Sequence, residues 1–278
     1  MLVTCLFAGM GSVNILVLVL IGVLTGLTTV LFGFGGGFVT VPVIVWADAA
    51  IGPTVGTVAV ATSAIVMVVN AAVATAATPR PILARLRSRG PILGLLAIGG
   101  LLGAALALAV PAEVSSWGFV IYIAVTIVDV LARPGFLRSA GTVHEDVPRP
   151  AIPTTLGAPI GAIASFLGVG GSVMTVPLLR RAGLPMGQAA ALANPLTLAI
   201  GIPAAVVFLA ARHAADIHGA VFAVGIVDLG AAAFLLAGAI PVIVVLRRRP
   251  PSIPDRVHAW FYVGMLAVVL TAMLLPLT

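Results

Sequence analysis

The sequence predicts an all-α polytopic membrane protein made of two inverted repeats. Each repeat is a glycine-tipped, re-entrant or broken helical hairpin plus three transmembrane helices. Three observations predict it. Hydrophobic residues make up 61% of the 278 residues and charged residues only 8%, with a mean hydropathy of +1.25; no soluble domain has that balance. The segment GFGGGFVTVP at 33–42 returns as GVGGSVMTVP at 168–177, the mark of a duplicated unit. The arginines fall into polar clusters that fix how often the chain crosses a bilayer between them.

The elements follow in order. Apolar segments run over roughly 12–32, 38–47, 53–78, 91–110, 115–132, 151–168, 172–179, 186–211, 219–246 and 257–277. A spanning helix needs about 20 residues. Segments 38–47 and 172–179 are too short, and each follows a glycine cluster. The first arginine is Arg80, so the N-terminal apolar stretch is expected to be retained rather than removed as a signal peptide. Arg80, Arg85, Arg87 and Arg89 form one cluster, Arg133, Arg138 and Arg149 a second, and Arg247, Arg248, Arg249 and Arg256 a third. All three are expected to be cytoplasmic.

Spans 91–110 and 115–132 join the first cluster to the second. Between the second and third, 186–211 and 219–246 are full spans, so 151–179 has to leave and return on one side. It reads as a hairpin with Gly168–Gly171 at its tip. The same logic puts hairpin 12–47 on the outer face, although 12–32 is long enough to span outright. Three spans per half is an odd number, so the halves are expected to be inverted, with two half-sites meeting near the midplane. The units are 1–132, a cytoplasmic linker 133–150 and 151–278, together one transport domain.

At an offset of 135 residues, Gly26, Gly33, Gly35, Gly36, Thr40, Val41 and Pro42 meet Gly161, Gly168, Gly170, Gly171, Thr175, Val176 and Pro177. Non-helical backbone inside a membrane is tolerated only where it is buried in protein or lines a cavity. Gly33, Gly35, Gly36 and Gly37, and Gly168, Gly170 and Gly171, are expected to accept the positive φ of such a turn. The helix that starts after each turn offers free N–H groups and its dipole to an anion. Two such starts would make a positive site without a buried arginine. Small-residue helix packing explains one glycine cluster equally well; the repeat of Thr40 and Pro42 as Thr175 and Pro177 favours a site.

Two spans supply side chains. Thr62 and Ser63 lie in 53–78, and Asn194, followed by the helix-breaking Pro195, lies in 186–211 at an offset of 132 from Thr62. Hydroxyl and amide groups suit an oxyanion that is held and then released; interhelical hydrogen bonding is the competing reading. Asn70, further along the first span, is a weaker candidate. Asp129 precedes Arg133 by four residues and reads as a helix-end ion pair. Asp228 has no such neighbour and is the proton-coupling candidate. His213, Asp216 and His218 share a short loop that reads as solvated rather than as a metal site. Trp46, Trp117, Trp260 and Tyr262 lie near span ends and read as interfacial anchors.

Other classes are disfavoured. The net charge of +6 comes from arginine alone, with no lysine, and its loop placement signals topology rather than nucleic-acid binding. The single cysteine, Cys5, excludes an internal disulfide. An enzyme would need a nucleophile–base pair within the spans, but all four histidines lie in loops or at span ends. No nucleotide-binding motif appears, so ATP is not the direct driver. No metal or cofactor is expected.

Two copies of G-x-G-G-(G/S)-x-x-T-V-P, each opening a repeat of apolar segments, resemble the TauE/SafE sulfite exporter family, also called TSUP. The resemblance covers nearly the whole chain. It implies a multi-pass permease of the plasma (inner) membrane for a sulfur-containing oxyanion such as sulfite, a sulfonate or sulfoacetate. The family pattern maps onto Gly33, Gly35, Gly36, Gly37 and Pro42, and onto Gly168, Gly170, Gly171 and Pro177. Ser172 stands where the pattern has its third glycine, and Asn194–Pro195 where a Thr–Ser pair like Thr62–Ser63 is usual; both make the second half-site more polar. The alternatives are a passive anion channel or a permease for another small carboxylate or anion. The partners expected are that anion and the lipid bilayer, and a homo-oligomer is compatible with both.

Overall fold

The computed structural model describes residues 15–47, 55–86, 90–137, 152–211 and 223–275. Eleven α-helices form within them: α1 (Ile15–Phe32), α2 (Gly37–Ala47), α3 (Val55–Ala76), α4 (Arg80–Ala84), α5 (Gly90–Ala109), α6 (Ala112–Ala132), α7 (Gly157–Phe166), α8 (Ser172–Arg181), α9 (Met186–Ala210), α10 (Leu229–Arg248) and α11 (Asp255–Leu274). Among the described residues, 7 helices are long and apolar enough to cross a bilayer. The chain is thus an all-α polytopic membrane protein. Leucines and valines that a soluble protein would bury stand exposed in stripes, as at Leu16, Leu20 and Leu24 on α1 and Ile121, Val125 and Val128 on α6.

Two boundaries differ from the sequence reading. The segment 12–32 becomes α1, an 18-residue helix of spanning length, so the first hairpin has one long arm and one short arm. The segment 219–246 is not helical throughout. Its start contains a two-strand antiparallel ribbon, β1 (Ala223–Val224) and β2 (Val227–Asp228), turned at Gly225 with φ 61°. Helix α10 begins only after that ribbon.

Helices pack through small residues, which let backbones approach where lipid removes the hydrophobic drive. Gly22 and Gly26 of α1 lie against the Leu235 and Ala239 carbonyls of α10; a Cβ on Gly26 would stand 2.6 Å from that oxygen. Gly157 and Gly161, 135 positions later on α7, lie against Ile92 and Leu96 of α5. Both contacts advance in the same direction along the two helices, so α1 runs parallel to α10 and α7 parallel to α5. Each hairpin arm therefore packs on a span of the other half of the chain. The two halves of the chain thus interleave at both hairpins.

The ends are tied by ions. Asp129 holds Arg133 at 3.0 Å, as the i,i+4 spacing predicts, and also Arg181 at 2.7 Å, 52 residues away. Trp117 and Trp260 are half-exposed, as interfacial anchors would be. Tyr262 is not an anchor: it is fully buried, 5.2 Å from the rings of both Phe34 and Phe136. The side chain of Trp46, the 213–218 loop and most of the linker lie outside the described residues.

Candidate functional site

The first turn follows α1 directly. The Gly33 N–H donates to Thr29 O at 3.1 Å, and the chain reverses through Gly33, Gly35 and Gly36 with φ of 74°, 65° and 100°. The second turn follows α7. The Gly168 N–H donates to Ser165 O at 3.2 Å, and Gly168 and Gly170 take φ of 67° and 72°. Side chains are strained in that region, which explains five of the seven glycines. The other two differ from expectation. Gly37 is already the first residue of α2, and Gly171 has φ −70° and ψ −11°, so helical backbone needs no glycine at either. Each short helix then starts alike: the Thr40 N–H donates to Gly36 O at 3.0 Å and the Thr175 N–H to Gly171 O at 2.9 Å.

The two turns meet. A Cβ on Gly37 would stand 2.5 Å from Gly168 O. Cβ atoms on Gly35 and Gly170 would press on the same two side chains: Met67 of α3, at 2.8 and 2.6 Å, and Thr197 of α9, at 3.1 and 3.3 Å. Met67 and Thr197 are 130 positions apart, and that spacing recurs around them. Gly33 lies on Ala190 and Ala193; Gly168 lies on Val60 and Ser63. Met67, Ser63, Asn194 and Thr197 are all buried.

The side chains proposed from sequence have separate placements. The Ser63 hydroxyl is on the second turn, 3.1 Å from Gly168 O and 2.8 Å from Val60 O. Thr62 faces away, its Oγ1 accepting the Asp228 N–H at 3.0 Å. Thr40 Oγ1 donates to Gly36 O at 2.8 Å, within the first turn. Ser172 and Thr175 keep buried hydroxyls without partners. Asn194 Nδ2 donates to Ala190 O at 3.1 Å, and its Oδ1 is buried without a partner. Pro42 and Pro177 lie inside α2 and α8, where each withholds an N–H from the helix. The Val173 carbonyl that Pro177 leaves open accepts the Tyr262 hydroxyl at 2.9 Å. Asp228 is the N-cap of α10, its carboxylate accepting the Ala231 N–H at 3.0 Å.

Two residues at the centre, Met67 and Thr197, are not among the candidates the sequence offers, and a third is more central than its sequence position suggests. Asn70 is fully buried, neither of its amide atoms has a partner, and its Nδ2 is 2.7 Å from where a Gly36 Cβ would stand. The signal was helical periodicity. Ser63, Met67 and Asn70 at i, i+4 and i+7 share one face of α3, as Asn194 and Thr197 share one face of α9.

One arginine is buried, away from the turns. The Arg180 side chain is 1% exposed and pairs with Asp255 at 2.7 Å. It sits at the far end of α8, about 12 Å of helix beyond Ser172, and also donates to Phe136 O and Leu184 O. Any positive character at the turns would have to come from helix-start N–H groups.

A family model described as Sulfite exporter TauE/SafE matches residues 18–273. No curated protein and no solved structure matches the chain.

Proposed function

Since the chain belongs to the sulfite exporter TauE/SafE family of membrane transporters, we propose that it is a secondary transporter that carries a small sulfur-containing oxyanion across the plasma membrane. The anion is held between the glycine turns at Gly33–Gly37 and Gly168–Ser172. The observation that carries this reading is the convergence of both turns on Met67 and Thr197. Helix-start N–H groups, which a helix leaves without intrahelical partners, and the buried hydroxyls of Ser172 and Thr175 supply donors to an anion.

Helix directions support inverted halves. Helix α1 runs parallel to α10, which ends at Arg247 and Arg248, so α1 points toward the arginine face. Helix α7 runs parallel to α5, which starts after Arg80 and Arg85, so α7 points away from it. The hairpins then enter from opposite sides, as alternating access about a fixed midplane site requires. Full burial of Met67 and Thr197 favours an occluded centre over the continuous path of a channel.

Purified protein in liposomes tests this. Labelled sulfite should enter with saturable kinetics and show counterflow when unlabelled sulfite is preloaded. Flux that rises linearly with concentration, without counterflow, would mean a channel.

A further inference from the structure

Two amide oxygens flank the first glycine turn, and both are buried with no donor. Asn194 Oδ1 is one. Its amide orientation is fixed, since Nδ2 donates to Ala190 O, the same carbonyl on which Gly33 rests. Asn70 Oδ1 is the other, but the Asn70 atom beside Gly36, at the opposite end of the turn, is Nδ2, a donor that also has no partner. Thr197, whose hydroxyl is also unpartnered, lies against Gly35 of this turn and Gly170 of the other. The second turn differs: its own unpartnered groups are the hydroxyls of Ser165, Ser172 and Thr175, which turn to donate or accept as needed. The halves match in backbone and differ in this chemistry.

An amide oxygen can only accept. Set beside a fully ionised oxyanion, it repels. Left buried and unpaired, it costs free energy. Both problems vanish if the ligand brings its own proton. We propose that the first turn is the half-site that reads a hydrogen-bond donor on the substrate: Asn194 Oδ1 accepts from it while the helix-start N–H groups and Asn70 Nδ2 hold its charged oxygens. This rests on the transport reading above and narrows its substrate to a monoanion carrying an O–H or N–H, such as hydrogensulfite or a hydroxyalkanesulfonate. Sulfate and plain alkanesulfonates, which lack a donor, are rejected.

Ethanesulfonate and 2-hydroxyethanesulfonate carry the same charge at every working pH and differ by one hydroxyl. Each is added as a competitor to labelled sulfite flux in liposomes containing the full chain. The hydroxylated anion should compete at about tenfold lower concentration, the worth of one hydrogen bond to a buried acceptor. Asn194→Leu, checked for insertion and monodispersity, should shrink that ratio toward unity, while Asn70→Leu, checked likewise, should weaken both competitors alike. Equal competition in the unaltered protein would overturn the proposal and leave transport standing, because the acceptors are then served by water. An unchanged ratio in Asn194→Leu, or a ratio lost in Asn70→Leu alone, would overturn the assignment to Asn194. Absence of any sulfite flux would instead sink the transport reading, and this inference with it.

Discussion

Tyr262 donates its hydroxyl to the carbonyl of Val173 at 2.9 Å, in the turn of helix where Pro177 supplies no N–H. A proline inside a ten-residue helix would otherwise leave a buried acceptor unpaired. The last helix thus completes the hydrogen bonding of the second hairpin. Tyr262→Phe keeps the ring packing against Phe34 and Phe136 and removes only the donor. It should destabilise the protein by about 1–3 kcal/mol, read as a lower Tm in detergent with helical content unchanged at room temperature. No change in Tm would mean that the carbonyl finds another donor.

The glycine turns divide into strained and unstrained positions. Gly35 and Gly170 have positive φ, and a Cβ on either would press on Met67. Gly171 has ordinary helical backbone, and its Cβ would meet only the flexible end of Ile200. Gly35→Ala and Gly170→Ala should each lose about 1–2 kcal/mol to backbone strain alone and most of the flux. Gly171→Ala should keep most of it. Equal loss in all three, by liposome flux normalised to inserted protein, would assign the effect to crowding rather than conformation.

The motif copies, the helical class and the hairpin following each half's start were legible because glycine, proline and hydropathy act locally. The centre of the site was less so. The sequence alignment of the two spans at an offset of 132 pairs Thr62 with Asn194; the structure relates the spans at 130, pairing Met67 with Thr197. A shift of two residues turns a helix face by about 200°, so Thr62 points to Asp228 and not to the turns. Buried Tyr262 and Arg180 were illegible for another reason: their partners Val173 and Asp255 are 89 and 75 positions distant.

Arg180 and Asp255 form an ion pair with the arginine end nearly out of reach of water. Removing one member of such a pair strands the other. Arg180→Met should cost about 3 kcal/mol or more, seen as a lower Tm, while the double change with Asp255→Asn should recover part of that loss. A double variant no more stable than the single one would show that the Phe136 and Leu184 carbonyls, not Asp255, are what Arg180 serves.

Asp228 caps α10 through the Ala231 N–H, and its own backbone N–H is held by Thr62. Asparagine caps helices as well as aspartate does, so Asp228→Asn keeps the cap and removes the titratable proton. If Asp228 couples transport to protons, the variant should still carry sulfite but should no longer respond to an imposed pH gradient. A preserved response would confine Asp228 to capping.

The central claim is that both glycine turns hold one anion between them, beside Met67 and Thr197. Selenite is a heavier analogue of sulfite with a strong anomalous signal, and crystals of the full chain soaked in it would locate the anion directly. The account predicts a single anomalous peak within hydrogen-bonding reach of the N–H groups after Gly35 and after Gly170. A peak beyond reach of both turns, at a concentration that competes fully with sulfite flux, would contradict it.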